Sequence, residues 1–597
     1  MARNKFDVDE NLESPFQWSH LKRAMVYIGR HKIKMLIAVC LSAMASIASL
    51  YVPKIMQWVL DDAVPNKDVA LLVKLAFLFI GLILIAIAFT TIRSRIMAKV
   101  GQEIIFAIRN DLFKHLQRLP FSYYDSRPAG KILVRVINYV NSVSDMLSNG
   151  IINSVLELMN VVFIIVFMYS IDAKLATIIV AGLPVFLGII LILKPRQRKA
   201  WQQQSNKNSN YTAYLAESID GVRVSQLFVR QGVNQSILEK LAIACRQTWM
   251  RAMIISNCVW LSSEIITQIV FTIMYLVGVY GMGGTMVSFG VILAMGQYVG
   301  RFWQPITNLA NIYNQFVNNI AYLERIFETM DEPVIVDDIE GAEALPEING
   351  GVRYDDVTFG YEEGIHILDN VDLSVKPGER IAFVGPTGAG KSTIVNLLCR
   401  FYNLNGGRIL LSDEQGNEHD IAKVTLRSLR SQLGIMLQDS FIFGGTIMDN
   451  IRYGRLDATD EEVISAAKLA RADAFIAEMR GGYQTIVSER GAGLSQGQRQ
   501  LIALARTLLS NPRILILDEA TSSIDTHTER LLQEGMEVLL KGRTSFIIAH
   551  RLSTIKTADR ILYIAEKGIK EIGSHDELME KKGAYYDLYT AQLDEAG

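Results

Sequence analysis

Gly385-Pro386-Thr387-Gly388-Ala389-Gly390-Lys391-Ser392-Thr393 follows the apolar run Ile381 to Val384 and leads into Ile394 to Arg400, whose spacing predicts a helix. A glycine-rich loop between a strand and a helix is a phosphate-binding pattern. Glycine lets successive backbone N–H groups turn inward on an anion, and the helix N-terminus adds the positive end of its dipole. Lys391 brings a positive charge to the β- and γ-phosphates, and the Ser392 hydroxyl is placed to ligate Mg²⁺. A second apolar run, Arg513 to Leu517, ends in Asp518-Glu519. It reads as a buried parallel strand with both acids at its C-terminal end, the edge where open α/β sheets bind ligands. Asp518 is expected to hold Mg²⁺ through water, and Glu519 to polarise an attacking water.

Working outward, these motifs belong to a soluble domain expected over residues 348–597, which opens with a strand at Gly351 to Phe359. An acidic linker over 331–347 precedes it. The first part of the chain is different in kind. The 597 residues are half apolar and only 20% charged, and the mean hydropathy is +0.22. Such a balance predicts membrane segments and argues against a wholly soluble enzyme. A net charge of -1 gives no electrostatic footprint for nucleic acid. Cys40, Cys245, Cys258 and Cys399 are too scattered for a thiolate metal site or a disulfide framework. The first residues, from Met1 to Trp18, have no apolar core or cleavage site and are expected to stay on the protein.

A helix needs about 20 predominantly apolar residues to cross the hydrocarbon layer. Six such helices are predicted within residues 1–330, over 35–58, 70–93, 146–171, 173–194, 252–279 and 287–312, with Gly281-Met282-Gly283-Gly284 breaking the last pair. The basic residues are one-sided. They crowd the segment before the first span and the loops from Arg93 to Arg135 and from Lys194 to Arg251, while the other connections carry almost none. This charge asymmetry predicts that both termini face the cytoplasm. The two long loops are expected to be helical extensions. Around Pro120 to Gly130 the first has a turn-rich tip with exposed aromatics, and the second has Tyr211, Tyr214 and Phe228. Both tips read as docking knobs or as aromatics packed on their own stalks.

Further along, Leu494-Ser495-Gln496-Gly497-Gln498-Arg499-Gln500, Gln438, Tyr361 in Val357-Thr358-Phe359-Gly360-Tyr361, Asp525, and His550 in Ile547-Ile548-Ala549-His550-Arg551 occur in one order. On these motifs the chain resembles the ATP-binding cassette (ABC) exporters from Phe16 to Thr590. The resemblance implies a multidomain membrane protein, with an all-α six-helix transmembrane domain followed by an α/β P-loop ATPase domain that uses ATP and Mg²⁺. It implies that Glu519, His550 and Gln438 are catalytic, and that Ser392, Gln438 and Asp518 hold the metal. Tyr361 would stack on adenine, and the loop from Gly385 to Thr393 would bind nucleotide together with Ser495, Gly497, Gln498 and Asp525. The segment at Ser495 would serve ATP held by an opposite domain, so the working unit has two chains. Gln496 stands where the family usually has glycine. It looks like the catalytically complete partner of a heterodimer, which favours a second half-transporter chain over a homodimer. Tyr139 stands where many relatives carry a polar or acidic residue.

The same resemblance implies ATP-driven export, of multidrug type, across the cytoplasmic membrane. A lipid or glycolipid flippase, a peptide exporter and an ATP-gated channel remain as alternatives. Glu157 and Glu264 are the acids inside predicted spans, where a carboxylate is costly and faces a cavity or a partner. Gln268 lies one helical turn from Glu264. They are expected either to line a cavity for small amphipathic, cationic compounds or to make interhelical hydrogen bonds. Gln17, Trp18 and Tyr27 beside Lys22 and Arg23 read as an interfacial elbow helix.

Overall fold

Apolar runs that cannot leave backbone groups unpaired in lipid become helices, and here they run well past the length a bilayer needs. The computed structural model describes residues 18–127, 129–280, 287–362, 364–437, 440–518, 525–549 and 555–596. Gln17 and the Gly281 to Gly284 break lie outside them. The chain divides into two units, residues 1–116 with 130–331, and residues 117–129 with 332–597.

The first unit is helical. After the short helix Trp18–Gly29, the long helices are Lys32–Trp58, Val69–Leu116, Ile151–Ile171, Leu183–Asp220 (preceded by Ala173–Ala181), Gln231–Tyr280 and Phe289–Asp331. Val69–Leu116 has 48 residues; at 1.5 Å per residue it is roughly 72 Å long, against about 30 Å of hydrocarbon. The surplus is the helical stalk expected of the loops. Five helical stretches are long and apolar enough to cross a membrane: 32–63, 69–116, 130–171, 173–220 and 231–280. The sixth expected span falls in Phe289–Asp331, long enough but interrupted by Gln297, Arg301, Gln304 and Asn308. Its apolar face is nonetheless fully packed: Tyr298, Phe302 and Trp303 are buried, with Trp303 against Phe186 at 4.6 Å.

Two contacts fix this last helix. Asp61 accepts hydrogen bonds from Ser288 Oγ (2.6 Å) and from the Gly290 backbone N–H (2.8 Å), so its carboxylate neutralises the helix start. A side chain at Gly290 would put its Cβ 2.6 Å from that carboxylate, which is why glycine stands there. Further down, Tyr139 stacks on Tyr322 with centroids 4.6 Å apart. This gives the aromatic at 139 a packing role. The helical stretch around it contains π-helical turns at Arg135–Tyr139 and Met146–Gly150, each a local widening where the ladder shifts by one residue.

The second unit is α/β. Strands β1 (Ile348–Phe359), β2 (Leu368–Val375), β4 (Gly406–Asp413) and β5 (Glu418–Asp420) form an antiparallel sheet in the order β2-β1-β4-β5. A six-stranded sheet combines β3 (Arg380–Val384), β6 (Leu433–Met436), β9 (Ile514–Asp518), β10 (Thr544–Ile548), β11 (Arg560–Ala565) and β12 (Gly568–Gly573) in the order β12-β11-β3-β10-β9-β6. All its neighbours are parallel except β11 with β12. Two short strands, β7 (Gly445–Thr446) and β8 (Ile486–Val487), pair separately. The strands β3, β9 and β10 are buried almost throughout, as their largely apolar runs require when both faces are covered.

The segment 117–129, the tip of the first long loop, packs into this unit. Phe121 meets Phe401 with centroids 4.5 Å apart, and Arg118 pairs with Asp337. Tyr123, expected to be exposed, is buried beneath Arg127, whose guanidinium lies 4.3 Å from its ring centre. Arg127 is held in turn by Glu332 at 3.2 Å. In the second loop Phe228 is exposed, while Tyr214 is buried and donates to the Asn234 carbonyl.

Candidate functional site: a phosphate loop and a membrane cavity

The phosphate loop takes its shape from glycine. Gly385, Gly388 and Gly390 have φ of 137°, 82° and 101°, a region costly for any residue with a Cβ. At Gly385 a Cβ would stand 2.2 Å from the Ile564 carbonyl oxygen. Lys391 opens the helix Lys391–Leu398 and arches back, its Nζ donating to the carbonyls of Gly385 (2.7 Å) and Pro386 (2.9 Å). Burial pulls the Lys391 pKa below the usual lysine value, and the Asp518 carboxylate partly opposes this. Thr387, Gly388 and Ser392 are exposed on the loop, Ala389 is half-buried, and Thr393 is buried behind it.

Parallel register brings Asp518 to the same edge. Ile548 of β10 pairs with both Phe383 of β3 and Asp518 of β9, so Asp518 ends level with the loop, one strand away. Glu519 follows Asp518, His550 follows β10 by two residues and Gln438 follows β6 by two. These three lie outside the described residues. Tyr361 is half-exposed beside the loop. Its hydroxyl is 3.2 Å from Thr393 Oγ1, and its ring meets Phe359 and Tyr402 edge-on, at 5.0 Å each.

Ser495 and Asp525 are helix caps. Ser495 Oγ accepts from the Gln498 N–H at 3.2 Å, and Gln498 Oε1 accepts from the Ser495 N–H at 2.9 Å, a reciprocal capping box that starts Gln496–Ser510. Gln498 is thus engaged within its own turn, while Gly497 is buried and Gln496 half-exposed. Asp525 accepts from Thr528 N–H at 3.0 Å, and that bond holds its carboxyl below the usual range.

In the helical unit, a cavity of about 1210 Å³ opens between the helices Lys32–Trp58, Val69–Leu116, Ile151–Ile171 and Phe289–Asp331. Glu157 lines it, held by Asn308 Nδ2 at 2.7 Å and by Asn160 Nδ2 at 3.4 Å. Glu264 and Gln268 do not join it. They are exposed on one face of Gln231–Tyr280, hydrogen-bonded to each other at 2.9 Å, as their spacing of one turn allows. The cavity also presents Arg93 and Arg301. Sequence reading used Arg93 only as a basic flank and passed over Arg301; the signal was there, since Arg301 lies within a predicted span and Arg93 ends another, and a base inside a span is as costly as an acid. Tyr402 and Asp125 were likewise missed, because nothing local joins residues so far apart in the chain.

Comparison with known proteins agrees with this division. Residues 35–306 match the family model of the ABC transporter transmembrane region, and residues 368–522 match that of the ABC transporter. The chain is 38% identical to an uncharacterized ABC transporter ATP-binding protein, YknV, of Bacillus subtilis, covering 100% of this chain and 98% of that one. It is 36% identical to a fatty acid ABC transporter ATP-binding/permease protein of Mycobacterium bovis, over 89% of this chain and 83% of the relative. A bacterial Atm1-family ABC exporter solved with ATP bound is 29% identical, with a TM-score of 0.75, over 96% of this chain and 99% of that one.

Proposed function

The chain belongs to the ABC exporters, membrane proteins that act as dimers and couple ATP hydrolysis to transport, and on that footing we propose that it moves amphipathic or hydrophobic compounds outward across the cytoplasmic membrane by alternating access. The carrying observation is the cavity among four helices, apolar along most of its wall and polar where Glu157, Asn160 and Asn308 meet. A pocket of that kind suits a molecule with a tail and a polar head. The relative named for fatty acids supports a lipid-like cargo as the second reading beside multidrug export.

At the ATP site, backbone N–H groups of the loop from Gly385 to Thr393 bind phosphate oxygens, Lys391 neutralises charge and Tyr361 stacks on the base. Ser392, Asp518 and Gln438 would hold Mg²⁺; the exposed hydroxyl of Ser392 and the carboxylate of Asp518, electrostatically coupled to Lys391, are the hard oxygen donors it prefers. When bound, that ion supplies charge neutralisation on the phosphate oxygens. Glu519 takes the proton of the attacking water, and His550 contacts the γ-phosphate. Ser495 and Gly497 complete the site of a partner chain. ATP binding favours the closed, outward-open pair, and hydrolysis resets it. Both termini lie in the cytoplasm, as the basic loops require.

Gln496 in place of glycine supports a heterodimer. The native mass of the chain purified alone, together with its Mg-ATPase rate, tests this: an active homodimer silenced by Lys391→Ala would overturn it. Export is tested in proteoliposomes loaded with fluorescent amphiphiles of several head groups. ATP-dependent movement that Lys391→Ala abolishes is expected. ATP turnover with passive, ATP-gated ion conductance and no accumulation would overturn the pump.

A further inference from the structure

The charges of the cavity are not balanced. Glu157 is the one acid among the described lining residues, and its carboxylate is satisfied by the neutral amides of Asn308 and Asn160. No ion pair joins it to either lining arginine. Arg301 gives one guanidinium nitrogen to Ser49, at 2.9 Å to the carbonyl and 3.3 Å to the hydroxyl. Arg93 has no hydrogen bond or ion pair to a described residue, and its Nε is buried without a partner. A guanidinium has five N–H donors and no acceptor, so donors left over on two such groups call for oxygen acceptors. A cation whose buried donors go unmatched is also costly in a low-dielectric wall.

Resting on the export reading, we propose that this cavity selects anionic amphiphiles, with a carboxylate or phosphate head held by Arg93 and Arg301 and the tail along the apolar wall. This reverses the expectation of cationic cargo drawn from Glu157, Glu264 and Gln268. Planar guanidinium matches oxyanion geometry and stays charged at any working pH. Apolar surface for the tail comes from three of those helices, at Leu50, Phe79, Ile83, Leu156 and Ile164.

The test is binding without nucleotide, by tryptophan fluorescence titration of the full-length chain in a neutral maltoside detergent. The probes share one alkyl chain and differ in the head: carboxylate, phosphate or trimethylammonium. Comparing variants with wild type cancels partition into the micelle. The expected result is preference for at least one anionic probe, weakened about ten- to a hundredfold by Arg93→Gln or Arg301→Gln, as for loss of a charge-assisted hydrogen bond. The two anionic arms separate a fatty-acid-like from a phospholipid-like head. Wild type that binds the cation as tightly as the anions, or a folded double variant that keeps full anion affinity, overturns the proposal. Where a glutamine variant does not fold, the ionic-strength dependence of wild-type binding decides: anion affinity that does not fall with salt overturns it. A chain that binds anions yet pumps nothing sinks the export reading alone. One that pumps cations and ignores anions sinks this proposal alone.

Discussion

Tyr402 donates its hydroxyl to the carboxylate of Asp125, tying the tip of the first long loop to a ring that itself packs on Tyr361. Burial, followed by this bond, raises the Tyr402 pKa above the usual phenol value. The residue expected to stack on adenine is thus one ring away from the loop, inside a single unit of the fold. Tyr402→Phe keeps the ring packing and removes the bond. Asp125 is exposed and Tyr402 half-buried, so stability should change by roughly 1 kcal/mol. Stimulation of ATPase by transported compound should fall while basal turnover persists; unchanged stimulation would rule out this bond as a coupling contact.

Glu519→Gln should lower ATP hydrolysis about a hundred- to ten-thousandfold, the contribution typical of a general base. Nucleotide should still bind, since the loop from Gly385 to Thr393 is untouched. Single-turnover kinetics with trapped ATP checks this. Wild-type turnover in the variant would remove Glu519 from the role.

Gly290→Ala should destabilise the helical unit by about 1–3 kcal/mol, as overpacking does. Its Cβ would intrude on the Asp61 carboxylate that caps the last long helix. A lower melting temperature is expected, partly recovered when Asp61→Ala is combined with it, because the clash is then gone although the cap is lost. Full additivity of the two losses would disprove the clash.

Asp413 predicts an acid-dependent contribution. Hydrogen bonds from His419 and Asn417, with backbone N–H groups of Asn417 and Gln415, hold its carboxyl far below the usual range. A depressed folded-state pKa stabilises above the unfolded value of about 3.9 and is lost as pH falls below it. Asp413→Asn should therefore melt below wild type at pH 7, with the gap beginning to narrow only below about pH 4 and closing toward the much lower folded-state pKa. A gap independent of pH would contradict the charge-based origin.

Much of this was legible locally. The phosphate loop, the strand before it and the helix after it sit within one stretch of chain, so spacing and glycine content suffice to read them. The capping roles of Ser495 and Asp525 are local too, although the sequence alone suggested only nucleotide contact for them. Tyr123 shows where local reading ends: an aromatic in a turn-rich tip looks exposed, yet Arg127 covers it in a segment that packs with a distant part of the chain.

By itself the sequence determined the long apolar helices and the buried strands flanking the phosphate loop and ending at Asp518, because hydrophobic period and length answer to backbone hydrogen bonding in lipid or in a buried sheet. It also determined the phosphate loop, whose chemistry is contiguous. Only the tertiary structure decided that Glu157 faces a cavity while Glu264 and Gln268 lie exposed on another helix, and that Arg93 and Arg301 share the cavity with Glu157. Which face of a helix meets a neighbour depends on packing against other helices, and a one-dimensional pattern of polar residues inside spans does not contain that choice.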